Sequence, residues 1–243
     1  MPDPATGLAD LGPVLHVRAR RAARRRLRRI LVAVLAVAVL AVVAWAVLFS
    51  RMFAVQTVEV SGTELLTSDQ VIETARVDLG GPLSRVDTKA VETRVAALPE
   101  VASVRAHRSW PHTLRLDVTE RTALFQRQVP SASAYQWVDA GGVVFHTDDR
   151  RLDVPLVWAA DDGAAMMGEV ATVVTALPDV VRAHLTAITA TSRDQITVQL
   201  DDGRQIMWGS ADQSDLKAQV ITVLLNQPGR MYDVSAPGRP AVR

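Results

Sequence analysis

A run of twenty apolar residues, Ile30–Phe49, constrains this chain more than any other feature of its sequence. As an α-helix the run would rise about 30 Å, which is the thickness of the hydrocarbon core of a bilayer. Trp45 and Phe49 lie near its C-terminal end, where aromatic rings suit the headgroup region. A cleaved signal peptide is the alternative, since Ala44-Trp45-Ala46 matches a small-x-small cleavage pattern. Because the apolar part of a signal peptide is usually about 7–15 residues long, the sequence favours a transmembrane helix over residues 30–49.

The basic residues before this run predict its orientation. Residues 1–29 contain eight arginines and two aspartates, whereas only Arg51 follows the run closely. By the positive-inside rule we expect a single-pass type II protein of the cell membrane, with residues 50–243 outside the cytoplasm. A contact of the arginines with nucleic acid or with a cytoplasmic partner is the open alternative. The arginines nearest the run are the candidate topology signal: Arg24, Arg25, Arg26, Arg28 and Arg29.

The distribution of charge and the absence of cysteine limit the possible functions. We expect residues 1–29 to form a basic cytoplasmic tail that is largely disordered. The rest of the chain holds more acidic than basic side chains, which argues against a nucleic-acid-binding domain. The chain contains no cysteine, so a disulfide framework, a thiolate metal site and a cysteine nucleophile are excluded.

The segment after the span predicts a small two-layer α+β domain of order β-α-α-β-β. Val55–Ser61 predicts a strand, and Thr67 with Gln70 matches a capping box that opens a short helix. A second helix is expected over Thr88–Leu98, followed by strands at Val101–Arg108 and Thr113–Glu120. Two short helices on one face of a three-stranded sheet would give a single core, and such a sheet has edges that can pair.

Residues 122–235 predict a second, mixed β domain with an antiparallel sheet and helices. Asp139-Ala140-Gly141-Gly142 and Asp202-Gly203 predict hairpin turns, since glycine accepts a positive φ. Ser210 with Gln213 matches a second capping box and predicts a helix to about Leu225. Residues 236–243 are expected to form a C-terminal tail. Apolar residues four apart define the expected buried face of that last helix: Leu216, Val220 and Leu224.

Residues that could carry chemistry are present, but their spacing does not match a catalytic or metal-binding pattern. His146 with Asp148 and Asp149 could contact a cation, although a solvated loop after a strand explains them better. Asp161-Asp162 and Asp201-Asp202 each adjoin a glycine, which indicates turns rather than an acid and a base facing one cleft. We therefore expect no catalytic residue, no metal site and no cofactor. Four tryptophans could line a sugar or peptide groove but more often serve as core or turn anchors: Trp110, Trp137, Trp158 and Trp208.

Several short segments form a recognisable combination with the basic tail and the single span. In the first predicted domain they are Val58-Glu59-Val60-Ser61-Gly62, Leu98-Pro99-Glu100-Val101-Ala102-Ser103-Val104, Arg108-Ser109-Trp110-Pro111-His112-Thr113-Leu114 and Thr119-Glu120-Arg121. In the second they are Trp137-Val138-Asp139-Ala140-Gly141-Gly142-Val143 and Leu216-Lys217-Ala218-Gln219. Over nearly the whole chain this combination resembles the FtsQ/DivIB cell-division family. The resemblance implies a POTRA domain at residues 53–121 and an FtsQ-type β domain at residues 122–235.

The resemblance also implies a function without catalysis. Members of this family are divisome scaffolds at the division septum. The implied partners are bitopic coiled-coil proteins, FtsB (DivIC in some bacteria) and FtsL, together with the bilayer around residues 30–49, and neither nucleic acid nor a small-molecule substrate. In family members the partner adds a strand to the sheet near the end of the β domain, which a free strand edge permits. The positions implied here are Tyr232, Asp233, Val234 and Ser235, flanked by Ala241 and Val242.

Alternatives remain open for this edge and for the whole chain. Pro237 and Pro240 cannot donate to a strand ladder, so a long strand addition through residues 236–243 is in doubt. Tyr232 and Val234 also fit an inward-facing strand that closes the core. An envelope chaperone or a secretion-associated POTRA module would share these features, and a peptidoglycan hydrolase is the weaker alternative.

Overall fold

The structure, a computed structural model, describes residues 12–49, 53–129, 133–161 and 163–243, and the side chains of the N-terminal helix only at residues 26–46. The chain forms two compact units. The smaller unit contains the N-terminal residues up to Val58, Val77–Asp87 and His107–Arg115. The larger unit contains Glu59–Arg76, Thr88–Ala106 and Leu116–Arg243.

The N-terminal helix, α1 (Gly12–Phe49), is 38 residues long. Within the described residues, Arg26–Ala46 is the one stretch long and apolar enough to cross a membrane, with a mean hydropathy of 2.6. The helix also includes residues 12–29, so the expectation of a largely disordered tail is wrong for that part, whereas residues 1–11 lie outside the described residues. Arginine, alanine and leucine are strong helix formers, so the basic segment can continue the helix of the apolar run.

The segment after α1 has the predicted β-α-α-β-β order. Its three strands form a sheet in the order β1-β3-β2. The predicted capping box is confirmed, because the Thr67 side chain accepts from Gln70 N and the Gln70 side chain accepts from Thr67 N. The elements are β1 (Thr57–Ser61), α2 (Ser68–Ala75), α3 (Thr88–Val95), β2 (Val101–Ser109) and β3 (Thr113–Glu120). The two helices bury Val71, Ala75, Val91 and Val95.

The C-terminal domain is built on a nine-stranded sheet. Its strands are β4 (Phe125–Gln128), β5 (Tyr135–Val138), β6 (Val144–Asp148), β7 (Leu156–Ala159), β8 (Leu185–Ser192), β9 (Gln195–Leu200), β10 (Gln205–Gly209), β11 (Met231–Asp233) and β12 (Ala241–Val242). They lie in the order β12-β11-β10-β9-β8-β7-β4-β5-β6. The sheet is mixed rather than antiparallel throughout, because the pairs β4–β7, β7–β8 and β10–β11 are parallel. Both predicted hairpins are present, as β5–β6 and β9–β10.

Three helices accompany this sheet, α4 (Ala164–Ala176), α5 (Asp179–Arg182) and α6 (Ser214–Leu224). Apolar residues of these helices and of the strands form one buried cluster, in which helix residues such as Met167, Val170 and Ile221 accompany Ile188 and Trp208 of the sheet. The cluster also contains Tyr232 and Val234, so the last strands of the sheet rest on the core of this domain.

The buried face of α6 differs from the predicted one. The helix begins at Ser214 with Gln213 in the left-handed region at φ 56°, so the predicted capping box at Ser210 is not formed. Its buried residues are Ser214, Lys217, Ile221 and Leu224, and Leu216 is 45% exposed. The polar contacts at its start account for this rotation, because Trp208 Nε1 donates to Ser214 Oγ at 3.1 Å and Ser214 Oγ donates to Ala211 O at 2.8 Å.

Candidate functional site

The C-terminal edge of the nine-stranded sheet, formed by β11, β12 and Tyr232–Ser235, is the candidate partner-binding site. Strand β11 pairs in parallel with β10, because helix α6 returns the chain between them. Strand β12 pairs antiparallel with β11, with Tyr232 opposite Val242 and Asp233 opposite Ala241. The last strand of the sheet is therefore β12, and β11 lies one strand further in.

The backbone of β12 has one side paired and one side directed outward. Arg243 N donates to Met231 O at 2.9 Å, and Met231 N donates to Arg243 O at 2.9 Å. These two residues are thus a hydrogen-bonded pair, so the neighbouring pair Tyr232–Val242 is of the non-hydrogen-bonded kind. In such a pair the N–H and C=O of each residue point away from the other strand. The N–H and C=O of Val242 therefore face the free side of the sheet.

The four residues expected at the free edge lie behind it. Tyr232 and Val234 are buried, and the Tyr232 hydroxyl lies 2.8 Å from Gln227 O and 3.1 Å from Gly229 O. Asp233 Oδ1 accepts from Ser235 N at 3.0 Å and from Ser235 Oγ at 2.7 Å, which closes a turn directly after β11. The side chains of these residues thus support β12, whereas Ala241 and Val242, expected to flank the site, carry the outer strand.

Both prolines of the tail precede β12 rather than interrupt it. Pro237 and Pro240 lie in the loop between β11 and β12, where a missing N–H does not break the ladder. They limit the outer strand to a short segment that begins at Ala241.

Gly229 makes room for the outer strand. A Cβ atom at this position would overlap Val242 Cγ1 and would lie 3.2 Å from Arg243 O. Glycine is therefore required here by close approach, since Gly229 is not among the residues with positive φ. A side chain at this position would therefore force Val242 in β12 to shift.

Charged groups near β10 and α6 are held by fixed hydrogen bonds. Asp202 Oδ1 accepts from Arg204 N at 3.0 Å, and this backbone bond is the main reason that the pKa of Asp202 lies below its usual value. Lys217 is 1% exposed, and its Nζ donates to Ser210 O at 2.9 Å. Burial lowers the pKa of Lys217, while the nearby charge of Asp212 acts in the opposite direction.

The acidic pairs considered for chemistry have structural partners. Asp148 Oδ1 accepts from Asp149 N at 2.6 Å, and the hydrogen bonds from Asp149 lower the pKa of Asp148. Asp161 Oδ1 accepts from Gly163 N at 3.2 Å, while Asp162 lies outside the described residues. Over the described ranges, no group of three or more histidine and acidic side chains could hold a metal ion.

The histidines, Asp201 and the tryptophans considered in the sequence analysis also have defined positions. His146 Nδ1 lies 3.6 Å from Glu100 Oε1, and Asp201 lies 3.1 Å from His184 Nδ1. Among the tryptophans, Trp137 and Trp208 are buried, so these two are core residues, whereas Trp110 is 49% and Trp158 is 46% exposed.

Glu120 and Arg121, at the boundary between the two predicted domains, bind neighbouring segments of the chain through hydrogen bonds and an ion pair. The Glu120 carboxylate accepts from three consecutive backbone N–H groups, those of residues 64–66, at 2.8–3.0 Å. Arg121 Nη1 lies 2.5 Å from Asp139 Oδ2, and its Nε donates to Pro99 O at 3.0 Å. Both side chains border a cavity of about 560 Å³ in the larger unit, and their hydrogen bonds indicate a structural function. The resemblance singled out this motif, but the spacing alone did not predict its contacts.

The candidate topology signal lies on α1. Arg26, Arg28 and Arg29 are exposed on the helix, at the N-terminal end of the stretch Arg26–Ala46. The side chains of Arg24 and Arg25 lie outside the described residues.

Comparison with known proteins places this architecture in a family. Residues 53–121 match the family model for the POTRA domain, FtsQ-type, and residues 129–235 match that for the C-terminal region of the cell division protein FtsQ/DivIB. The chain belongs to the FtsQ/DivIB family. The family is one of cell division proteins, and the match over both regions agrees with the mixed α+β fold and with the POTRA domain after α1.

Relatives within the FtsQ/DivIB family include proteins named cell division protein FtsQ. The chain is 33% identical over 222 residues to that of Mycobacterium leprae, covering 90% of this chain and 64% of the relative, so it spans just under two thirds of that protein. It is 37% identical over 239 residues to that of Streptomyces bingchenggensis, covering 90% and 89%. A solved structure of the extracytoplasmic domain of DivIB from Geobacillus stearothermophilus aligns with a TM-score of 0.34 and 15% identity, covering 42% of this chain and 87% of that one.

Proposed function

We propose that this chain is a membrane-anchored divisome scaffold that links septal proteins by accepting a partner strand at β12. The observation that carries the proposal is the outer strand itself, whose Val242 N–H and C=O face away from β11. Backbone hydrogen bonds supply affinity when an extended peptide adds to a sheet edge. The strand behind it is anchored in the core through Tyr232 and Val234, which favours a rigid receptor over a loose tail.

The partners proposed for this edge are the bitopic proteins of the FtsB/DivIC and FtsL type. Family membership supports this proposal, and so does the chemistry of strand addition, which requires an extended segment rather than a small ligand. We infer that the protein is not an enzyme, and the engagement of Asp148, Asp161 and Asp202 in turns supports this inference.

The proposed location is the division septum of the cell membrane. Helix α1 would cross the bilayer through the stretch Arg26–Ala46, with the arginines at its N-terminal side in the cytoplasm. Both domains would then lie outside the cytoplasm, where bitopic partners present their own extracytoplasmic segments.

The substitution Val242→Pro tests the proposed strand addition. Proline removes the outward N–H of Val242 but none of the bonds between β12 and β11, since edge strands tolerate proline where the N–H faces solvent. Loss of one such bond should weaken capture of the bitopic partner about tenfold, or about 1.4 kcal/mol. The measurement is the affinity of the full-length protein in nanodiscs for the partner's extracytoplasmic segment.

Val242→Ile is the matched control, because it keeps the N–H and the β-branched side chain. Its affinity should equal that of the unmodified chain, and both variants should keep the melting temperature of the C-terminal domain. Unchanged partner affinity in Val242→Pro would contradict strand addition at β12. Cross-linking from position 242 that captured secreted client proteins, and no bitopic protein, would favour the chaperone alternative.

A further inference from the structure

The segment that joins α1 to Phe53 is so short that Phe53 must lie close to the end of α1. Three residues lie between Phe49, the last residue of α1, and Phe53, so four Cα-to-Cα steps separate the two. An extended chain covers at most about 3.6 Å per residue, so Phe53 lies within about 14 Å of the end of α1. The headgroup region adds about 5–8 Å on each side of the hydrocarbon core. If α1 spans the bilayer, as proposed above, Phe53 is within reach of the headgroups.

Two turns of the smaller unit are fastened on to the chain at this point. Val55 N donates to Gly81 O at 2.9 Å, and Gly80 N donates to Val55 O at 2.8 Å, which holds the turn that contains Leu79. Gln56 N donates to His112 O at 2.9 Å, which holds the turn that contains Trp110. Both turns therefore lie beside the segment that emerges from α1, and all of these residues belong to one compact unit.

A further contact joins the segment that follows the first turn to the strand that leads into the second. Arg108 Nε donates to Leu83 O at 3.1 Å, and its Nη2 donates to Val86 O at 2.7 Å. Since Arg108 leads into the turn at Trp110, the two turns are expected to move together as one body.

Each turn presents a large apolar side chain to solvent. Leu79 is 60% exposed, and Trp110 is 49% exposed. The ring of Trp110 packs edge-on against Phe53, with 5.6 Å between the ring centroids. Tryptophan is enriched where proteins meet the membrane–water interface, because its ring is largely apolar but carries an N–H that stays hydrated.

We propose that Phe53, Leu79 and Trp110 form a lipid-contacting tip that rests in the headgroup region of the leaflet from which α1 emerges. The occupant of this surface is the lipid bilayer, because the tether from Phe49 keeps the tip near it. The proposal rests on the proposed membrane anchorage of α1. It implies that this tip contacts the membrane surface, so that a flexible linker does not separate it from the bilayer.

Single-cysteine variants can test the tip directly, because the chain has no native cysteine. Leu79→Cys and Val223→Cys are matched reporters, with the native side chains 60% and 65% exposed. Each full-length variant would carry an environment-sensitive fluorophore in nanodiscs whose lipids bear a nitroxide on the headgroup. We expect the label at position 79 to lose most of its fluorescence and to emit at shorter wavelength, while the label at 223 keeps both properties.

A third variant separates this proposal from the anchorage. Leu40→Cys lies in the apolar stretch of α1, where Leu40 is 68% exposed, and its label should be quenched by nitroxides on the acyl chains. Quenching at 40 together with equal, weak quenching at 79 and 223 would overturn the tip and leave the anchorage intact. Absence of quenching at 40 would overturn both.

The matched tryptophans provide a second, independent measurement. Trp110→Ser and Trp158→Ser each remove one tryptophan of similar exposure, 49% and 46%. In nanodiscs that contain brominated lipid, Trp110→Ser should reduce the lipid-quenched part of the tryptophan emission, and Trp158→Ser should leave it unchanged. An equal effect of the two substitutions would contradict the tip.

Discussion

Lys217 is the residue whose surroundings differ most from those usual for its type. Its side chain is 1% exposed, although lysine is almost never fully buried. The hydrogen bond from Nζ to Ser210 O compensates part of the cost of burial. Because burial disfavours the charged form, the pKa of Lys217 is lowered from its ordinary value of 10.5.

This environment predicts a pH-dependent stability. Between the lowered pKa of Lys217 in the folded chain and 10.5 in the unfolded chain, the unfolded state binds more protons, so the free energy of unfolding should rise as pH rises. Lys217→Met removes the titrating group, and the rise should disappear. The measurement is urea unfolding of the full-length protein in detergent across that pH window, followed by the fluorescence of the buried Trp208.

The other lysine of the chain serves as the control. Lys89 is exposed at the start of α3, and Lys89→Met should keep the pH dependence of the unmodified protein. A rise of the same size in Lys217→Met would show that Lys217 is not its source.

At the scale of elements, β12 depends on a few close contacts. It has only two strand residues, and its pairing is completed by the bonds of Arg243 to Met231 and Arg230. Gly229 permits this arrangement because a side chain there would collide with Val242. The outer strand should therefore be easier to displace than the strands behind it.

Substitution of Gly229 tests this dependence. Gly229→Ala should push Val242 outward and weaken β12 by about 1–3 kcal/mol, the usual cost of overpacking. The readout is hydrogen exchange of the Met231 amide, which donates to Arg243 O and should exchange faster when β12 detaches. Capture of the bitopic partner should weaken in parallel.

Gly238→Ala is the matched control, since no atom lies within 4 Å of the Cβ position there. It should leave the exchange of Met231 unchanged. Slow exchange of Met231 in Gly229→Ala would show that β12 accommodates the extra methyl group.

Two strands of the C-terminal sheet, β4 and β7, are absent from the sequence prediction. Strand β4 reads Phe-Gln-Arg-Gln, yet Gln126 and Arg127 are buried in it. The side-chain amide of Gln126 forms hydrogen bonds with residues distant in the sequence. Its oxygen accepts from Leu152 N at 2.8 Å, and its nitrogen donates to Arg150 O at 2.9 Å. Because a polar segment predicts an exposed loop, the sequence does not predict β4; its parallel partner β7 is apolar but only four residues long, and it is not predicted either. Their pairing depends on residues about thirty positions away in the chain.

At the scale of the whole molecule, the charge next to the apolar run of α1 is expected to set the orientation of everything that follows. The arginines from 24 to 29 directly precede the apolar run Ile30–Phe49, and basic residues next to a span favour the cytoplasmic side. Both domains follow the apolar run, so under the proposed anchorage their location depends on this local bias.

Replacement of Arg24, Arg25, Arg26, Arg28 and Arg29 by glutamate should invert or abolish insertion. The measurement is protease accessibility of a reporter fused after Arg243 in spheroplasts, where the unmodified protein should be digested and the variant protected. Replacement of the same five residues by lysine keeps the charge and should keep the reporter accessible. A reporter that stayed accessible with the glutamates would contradict the role of this cluster.

The sequence by itself determined the elements whose signals lie within a few neighbouring residues. The apolar run of α1, the capping box at Thr67 and the hairpin turn at Asp202-Gly203 are all of this kind, and the structure contains each of them. Their physical causes are local, namely helix rise, reciprocal hydrogen bonds over three residues and the positive φ that glycine accepts.

Only the tertiary structure decided which face of α6 is buried and which strand lies at the C-terminal edge of the sheet. The face of α6 depends on Trp208 and Ser214, and the burial of Tyr232 depends on the core cluster that it joins. These outcomes were not predictable from periodicity, because a helix with apolar residues on two faces can turn either one inward. The packing partners that choose between them are brought together only when distant parts of the chain fold.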